Sequence, residues 1–328
     1  MKLPIPELQR LCLSSLQKIG YSEEHAQLIS KVLLYAELRG NNQGLIKLVS
    51  GGLNKNANQR ELRVIFESPV SAKLDGGNQS GMVVVSHAVN LALEKCAKSG
   101  ISIVGVSGYA SATGALGYWA REITSKGYIG IVMSQCSEMV APHGSYEPIY
   151  GTNPIAIGIP TIPRAQILDM ATSAFAYYGI KIAEQNGEAI PGDVAYDSNG
   201  FPTTNPTEAL RGAIRSFDRS YKGSHLALMV ELLSGALTGA SMENKLASEN
   251  WGSLVLAIDP NIFGAREEFL VNAQTMCDRV KHAAKLPNQK GDIYLPGERG
   301  DELEAAHLKE GCLEISDRLF SQLTELAR

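Results

Sequence analysis

The sequence predicts an α/β fold, on three observations. Apolar residues recur at helical spacing in segments such as Ser22 to Glu37 and Gly81 to Lys98. Short β-rich runs lie between them, for example Ile101 to Val106 and Ile155-Ala156-Ile157-Gly158-Ile159. The third is an absence: no GxGxxG follows a strand, and no GxxxxGK followed by Ser or Thr occurs. Neither Rossmann nor P-loop nucleotide binding is therefore readable.

Taken in order, Pro6 to Lys18 and Ser22 to Glu37 read as helices, punctuated by Gly20, with Ser22 as an N-cap ahead of Glu23 and Glu24. Leu62 to Ala72 alternates in part and predicts a strand before the Asp75-Gly76-Gly77-Asn78 turn. Gly81 to Lys98 is a helix closed by Ser99-Gly100. Ile101 to Val106 is a strand, Tyr118 to Lys126 a helix ending at Gly127, and Tyr128 to Met133 a strand. Phe175 to Gln185 and Lys222 to Ser241 carry strong apolar stripes and predict helices. Leu254 to Ile258 predicts a buried strand, and Arg266 to Ala284 and Leu308 to Leu326 further helices. No tandem repeat, low-complexity tract or long linker interrupts the series.

A chain of 328 residues with 44% hydrophobic content can bury a large core. Its net charge of −4 and lack of a Lys/Arg cluster argue against a nucleic-acid partner. Five cysteines without CxxC spacing fit reduced thiols better than a disulfide framework or a zinc site, so no metal is expected. The opening MKLPIPELQR lacks the apolar core of a signal peptide, and no run of about 18 apolar residues occurs. A cytoplasmic protein with no membrane partner is the expectation.

The densest punctuation lies between Ala141 and Thr161, where a Pro-His-Gly turn precedes Gly151-Thr152-Asn153-Pro154 and a buried strand. A rigid loop at a sheet end suits a small-molecule site, although a tight turn capping a core strand explains it as well. This segment is similar to the GTNP segment of the malate/L-lactate dehydrogenase-like oxidoreductases, a family unrelated to the Rossmann lactate dehydrogenases. The likeness continues through Leu168-Asp169-Met170-Ala171-Thr172-Ser173, Ile190-Pro191-Gly192, Asp197-Ser198-Asn199-Gly200 and Tyr221-Lys222-Gly223. It extends through the Leu226 to Gly239 run, Ala257-Ile258-Asp259-Pro260 and Leu295-Pro296-Gly297-Glu298. The resemblance implies a non-Rossmann mixed, mainly antiparallel sheet domain with a discontinuous helical domain built from both termini. Boundaries of 1–63, 64–264 and 265–328 follow, the middle part carrying the substrate and NAD(P) region. The resemblance also implies an NAD(P)H cofactor, a small carboxylate substrate and a homodimer. Whether NADH or NADPH is used is not readable, because the acidic ribose rule belongs to Rossmann sites.

Reduction of a 2-oxo acid needs a cation for the carboxylate and an acid for the developing alkoxide. The family's N-terminal RG-x-x-SHG segment offers a histidine, with an arginine four residues beyond it. Here the run reads Arg39-Gly40-Asn41-Asn42-Gln43-Gly44-Leu45-Ile46-Lys47, one residue shorter, which puts Gln43 at the histidine and Lys47 at the arginine. A glutamine amide does not titrate, and lysine keeps the charge without the bidentate fork. A second family histidine falls near Ala112, and Gln135 replaces an asparagine. His143, beside the GTNP segment, is a candidate for contact with substrate or cofactor, against simple turn packing, and Tyr109 and Tyr118 are phenolic candidates against core or loop aromatics. The resemblance points to Gly151, Thr152, Asn153, Thr172, Lys222 and Gly223 for the cofactor; Lys222 and Gly223 also open a helix, where anions bind, and His225 at that helix start can donate a neutral N–H to a cofactor phosphate. A cyclic imino 2-carboxylate, already protonated, removes the need for a proton carrier: Gln43 then positions it and Lys47 holds its carboxylate. The alternative is a catalytically impaired family member acting as a ligand-binding or scaffold protein.

Overall fold

The computed structural model describes residues 1–41 and 44–328. Strand β1 (Lys2–Pro4) leads into α1 (Ile5–Ile19), which Gly20 ends in the left-handed region, and then α2 (Glu23–Leu38). Ser22 caps α2, its hydroxyl accepting from the His25 N–H at 3.2 Å. A short α3 (Ile46–Val49) precedes β2 (Arg63–Glu67), β3 (Ser71–Asp75), α4 (Gly81–Ser99) and β4 (Ile101–Tyr109). Next come α5 (Leu116–Ser125), β5 (Ile129–Ser134), β6 (Ile155–Ile159), β7 (Gln166–Met170) and α6 (Tyr177–Asn186). A loop-rich segment holds β8 (Ala195–Tyr196), α7 (Pro206–Arg211) and β9 (Ala213–Ile214). Helix α8 (Tyr221–Glu231), a π-helical turn at Leu232–Ala236, α9 (Lys245–Ser248) and β10 (Trp251–Ile258) follow. The chain closes with α10 (Arg266–Lys281), α11 (Glu298–Glu310), β11 (Cys312–Glu314) and α12 (Asp317–Ala327).

Among the described residues, seven strands form one sheet in the order β2-β3-β4-β10-β5-β6-β7. All neighbours are antiparallel except β3 and β4. The expected mixed, mainly antiparallel sheet is what the chain builds. One face packs on α4 and α5, burying Val104, Val106, Val132 and Val255 in a core continuous with α1, α2 and Leu323 of α12. Gly130 and Gly158 pair across β5 and β6 beneath α5; a Cβ on Gly130 would meet the Ile123 side chain at 2.9 Å. The other face covers Met133 and Leu254 with Val230 of α8. A separate cluster around Val140, Ile180, Val194 and Ala227 supports the loops between β5 and α8. Strand β1 pairs with β11, so the first and last helices lie side by side.

Three expected elements differ. Leu62 to Ala72 is two strands rather than one, because Ser68 accepts the N–H groups of Val70 and Ser71 around Pro69 and reverses the chain. Leu308 to Leu326 is broken at Gly311, left-handed at φ 73°, and β11 intervenes. Lys222 to Ser241 leaves α-helical geometry at Leu232, where Ser234 donates back to the Val230 carbonyl at 2.7 Å.

Candidate active site

The segments that converge at one end of the sheet enclose a cavity of about 810 Å³. Its wall is built from α3 and the loop after it, the β4–α5 connection, the ends of β5 and β7, the GTNP loop and the start of α6. The glycine-rich run after β4, readable from composition as a phosphate cradle or a strand-to-helix connection, supplies Ala110 to Leu116 of that wall.

Lys47 enters from α3. The turn before it is fixed by Glu37 of α2, whose carboxylate accepts the Leu45 N–H at 2.8 Å. Gly44 makes that approach possible, since a Cβ there would lie 2.1 Å from Glu37 Oε2. Lys47 is only 3% exposed yet lines the cavity. Its Nζ sits 5.2 Å from the centre of the Tyr178 ring. That ammonium has no hydrogen-bond or ion-pair partner among the described residues, while the Lys47 backbone bonds to Gly44 and Gly52. Burial pushes its pKa down from 10.5 to about 8, against the opposing pull of Cys136 and Asp169.

Asp169, at the end of β7, faces the same space. Its Oδ2 accepts the Gly117 N–H at 2.8 Å. Burial raises its carboxyl above the usual range, partly offset by that N–H and by Lys47 and Arg39. Burial likewise raises the Cys136 thiol, whose Sγ lies 3.8 Å from Thr152 Oγ1, and pushes the Tyr178 phenol up to about 12. Arg39, of the Arg-Gly pair, turns away to α11, where it donates to the Gly297 carbonyl and pairs with Asp301 and Glu304.

Of the residues expected from the sequence, Lys47 and Thr152 line the cavity. Gly151 backs it against Cys136; a Cβ there would meet Sγ at 2.7 Å. Thr172 is buried just behind the wall, its hydroxyl donating to the carbonyls of Thr152 and Asn153 at 3.1 Å. Asn153, at φ 40°, turns inward, its Nδ2 donating to Glu231 Oε2 at 2.7 Å and the Ala227 carbonyl at 3.0 Å. Lys222, Gly223 and His225 gather at the start of α8 instead, with His143, whose N–H donates to Ser224 Oγ at 3.0 Å. There Asp218 accepts the Gly223 N–H at 3.0 Å, so this helix start already faces a carboxylate of the chain. Gln43 lies outside the described residues.

The sequence reading gave no role to Asp169, Tyr178 or Cys136. Asp169 left a signal, a charge inside the apolar β7 run. Tyr178 and Cys136 left none, because their position depends on how α6 and β5 meet α3.

The sequence pattern of the malate/L-lactate dehydrogenase family matches residues 3–324. The chain belongs to that family. It is 33% identical over 337 residues to malate/(S)-sulfolactate dehydrogenase of Methanothermus fervidus, covering 98% of this chain and 96% of the relative. It is 33% identical to ureidoglycolate dehydrogenase (NAD(+)) of Escherichia coli K12, with 98% and 95% covered. Among solved structures, malate dehydrogenase of Entamoeba histolytica superposes with TM-score 0.91 at 26% identity, over 100% of this chain and 97% of that one. The delta1-piperideine-2-carboxylate reductase of Pseudomonas syringae pvar. tomato gives 0.80 at 26% identity, over 99% of both chains. The expected family and fold are therefore shown, and they mark the chain as an oxidoreductase of small carboxylates.

The cavity suits a nicotinamide nucleotide. Its volume falls in the range of small-molecule sites, about 300–1,000 Å³. Two polar groups of its wall, Ser80 Oγ and Gln135 Oε1, are buried without a hydrogen-bond partner among the described residues. Such orphans fit a ligand that brings hydroxyl, phosphate or carboxamide groups. Among the described residues no helix is long and apolar enough to cross a membrane.

Proposed function

We propose that the chain is an NAD(P)-dependent oxidoreductase that moves hydride to or from C2 of a small 2-oxo, 2-hydroxy or cyclic imino carboxylate. One observation carries this: a buried ammonium, Lys47, faces a cofactor-sized cavity and has no partner among the described residues. A buried charge is costly unless paired, so the site favours an anion of complementary size. Lys47 holds the substrate carboxylate, and the bound nicotinamide supplies or takes the hydride. Gly151, Thr152 and Thr172 shape the nicotinamide end. Lys222 and His225, exposed at the start of α8 beside exposed His143, meet the cofactor's phosphates, with Gly223 buried beneath them.

The homodimer expected from the family has support in exposed apolar groups on α8 and its extension, among them Met229, Leu232 and Leu237. Free, unpaired cysteines fit a cytoplasmic location. Purified protein with NADH or NADPH should oxidise the cofactor when given pyruvate, oxaloacetate, pyrroline-2-carboxylate or piperideine-2-carboxylate. Turnover on none of them rejects the reading. A second reading, a ligand-binding member without activity, is favoured by one fact: none of the six histidines lines the cavity. It predicts cofactor binding by fluorescence with no turnover on any of the four.

A further inference from the structure

A site that reduces a 2-oxo acid must protonate oxygen, and the groups able to do so here are few. Burial pushes the Tyr178 phenol up to about 12, which makes it a weak acid. Lys55 donates to the Gly20 carbonyl at 2.9 Å, and Glu249 accepts from Asn56 at 2.8 Å. Asp169 is held by Gly117, and the Cys136 thiol sits against Thr152. Ser80 and Tyr177 also bring hydroxyls to the wall, but hydroxyls are weak acids near neutral pH, and Lys47 is the ammonium among the described lining groups whose Nζ has no hydrogen-bond acceptor.

Resting on the oxidoreductase reading above, we propose that Lys47 is the acid–base residue of this chain. Its ammonium bridges one carboxylate oxygen and the C2 oxygen of a 2-oxo acid, then gives the C2 oxygen its proton. An ammonium carries three N–H donors, and a 2-oxo carboxylate can turn two oxygens to the same side. The bound dihydronicotinamide supplies the hydride pair. As C2 gains that pair, the C=O π pair moves onto oxygen, a new O–H bond forms and one Nζ–H bond breaks, leaving its pair on nitrogen. Lys47 becomes a neutral amine, the form that burial favours, and regains a proton from solvent at the cavity mouth. In the oxidative direction the amine takes the hydroxyl proton. An arginine holds a carboxylate but keeps its protons at any pH near neutral. Lysine at this position therefore supplies what the missing imidazoles do not. The groups facing Lys47 are Asp169 from β7, Cys136 after β5 and Tyr178 from α6, and burial sets its own titration near 8.

The test compares Lys47→Arg on two substrate classes. A cyclic iminium brings its own proton, so the variant should lose about 10²–10³-fold more kcat on pyruvate or oxaloacetate than on piperideine-2-carboxylate, whatever the altered carboxylate contact costs both. Calorimetry with oxamate, an unreactive mimic, reads the same group without turnover. At pH 9 wild type should take up about one proton per oxamate bound, and Lys47→Arg none. Should Lys47→Arg fail to fold, Lys47→Ala serves instead. Added methylammonium should restore its oxo-acid turnover, and tetramethylammonium should not. Retained oxo-acid kcat in Lys47→Arg, equal loss on both substrates, equal rescue by the two amines, or absent proton uptake overturns the assignment. A wild type that reduces imines but not oxo acids overturns it too, and leaves the oxidoreductase reading standing. A wild type inactive on both classes removes that reading and this one with it.

Discussion

Lys47 gives the molecule two opposing pH dependences. Its ordinary value of 10.5 is lowered to about 8 by burial. Between those values the unfolded chain binds a proton that the folded chain has released, so stability rises with pH across that window. Below it both states are protonated and the fold bears the buried charge, a cost of roughly 3 kcal/mol. Lys47→Met should therefore be more stable than wild type at pH 7 by up to about that amount, with the gap narrowing towards pH 10; urea unfolding at both pH values measures it. Carboxylate binding runs the other way. Above about pH 8, Kd for oxamate should rise roughly tenfold per pH unit as the ammonium is lost, and a flat profile from pH 7 to 10 would contradict the placement of that charge. At this scale the sequence was informative where a residue stood in a recognisable run, as with Lys47 and Thr152. It was silent where chemistry depends on contact between distant segments, as with Tyr178 against Lys47.

Between elements, a buried polar relay fixes the GTNP loop to the helix that follows it. Asn153 donates to Glu231 of α8, and Glu231 pairs with Lys245 Nζ at 2.7 Å, which also donates to the Ile149 carbonyl at 3.0 Å. Removing one member leaves a charge buried without its counterion. Lys245→Met should cost about 3–5 kcal/mol, read by urea unfolding, and adding Glu231→Gln to it should recover part of the loss. Helix starts and glycine stops were legible because caps are local: Ser22, Gly20 and Gly100 each act within one turn. The split at Pro69 and the break at Gly311 were not, since apolar spacing on either side continues as though the element did. The strand pairing that follows each break is a long-range choice, which periodicity does not encode.

Over the whole molecule, two apolar surfaces remain uncovered in the single chain. Leu237 is 60% exposed at the end of the α8 extension, and Phe66 is 61% exposed on the edge strand β2 beside Val64 and Ile65. An edge strand of this character invites pairing. In the proposed homodimer a partner covers such groups, so Leu237→Asp should shift the mass seen by light scattering towards that of one chain. A wild type that already runs as a monomer at micromolar concentration removes the proposal. The strand order carries one more consequence. Strand β10 lies in the middle of the sheet, between β4 and β5, yet it is the last of the seven to be made. At about 5–20 residues per second a ribosome needs on the order of ten seconds to travel from β5 to β10. Until β10 emerges nothing can lie between β4 and β5, so the β2-β3-β4 and β5-β6-β7 halves can be joined only late in synthesis.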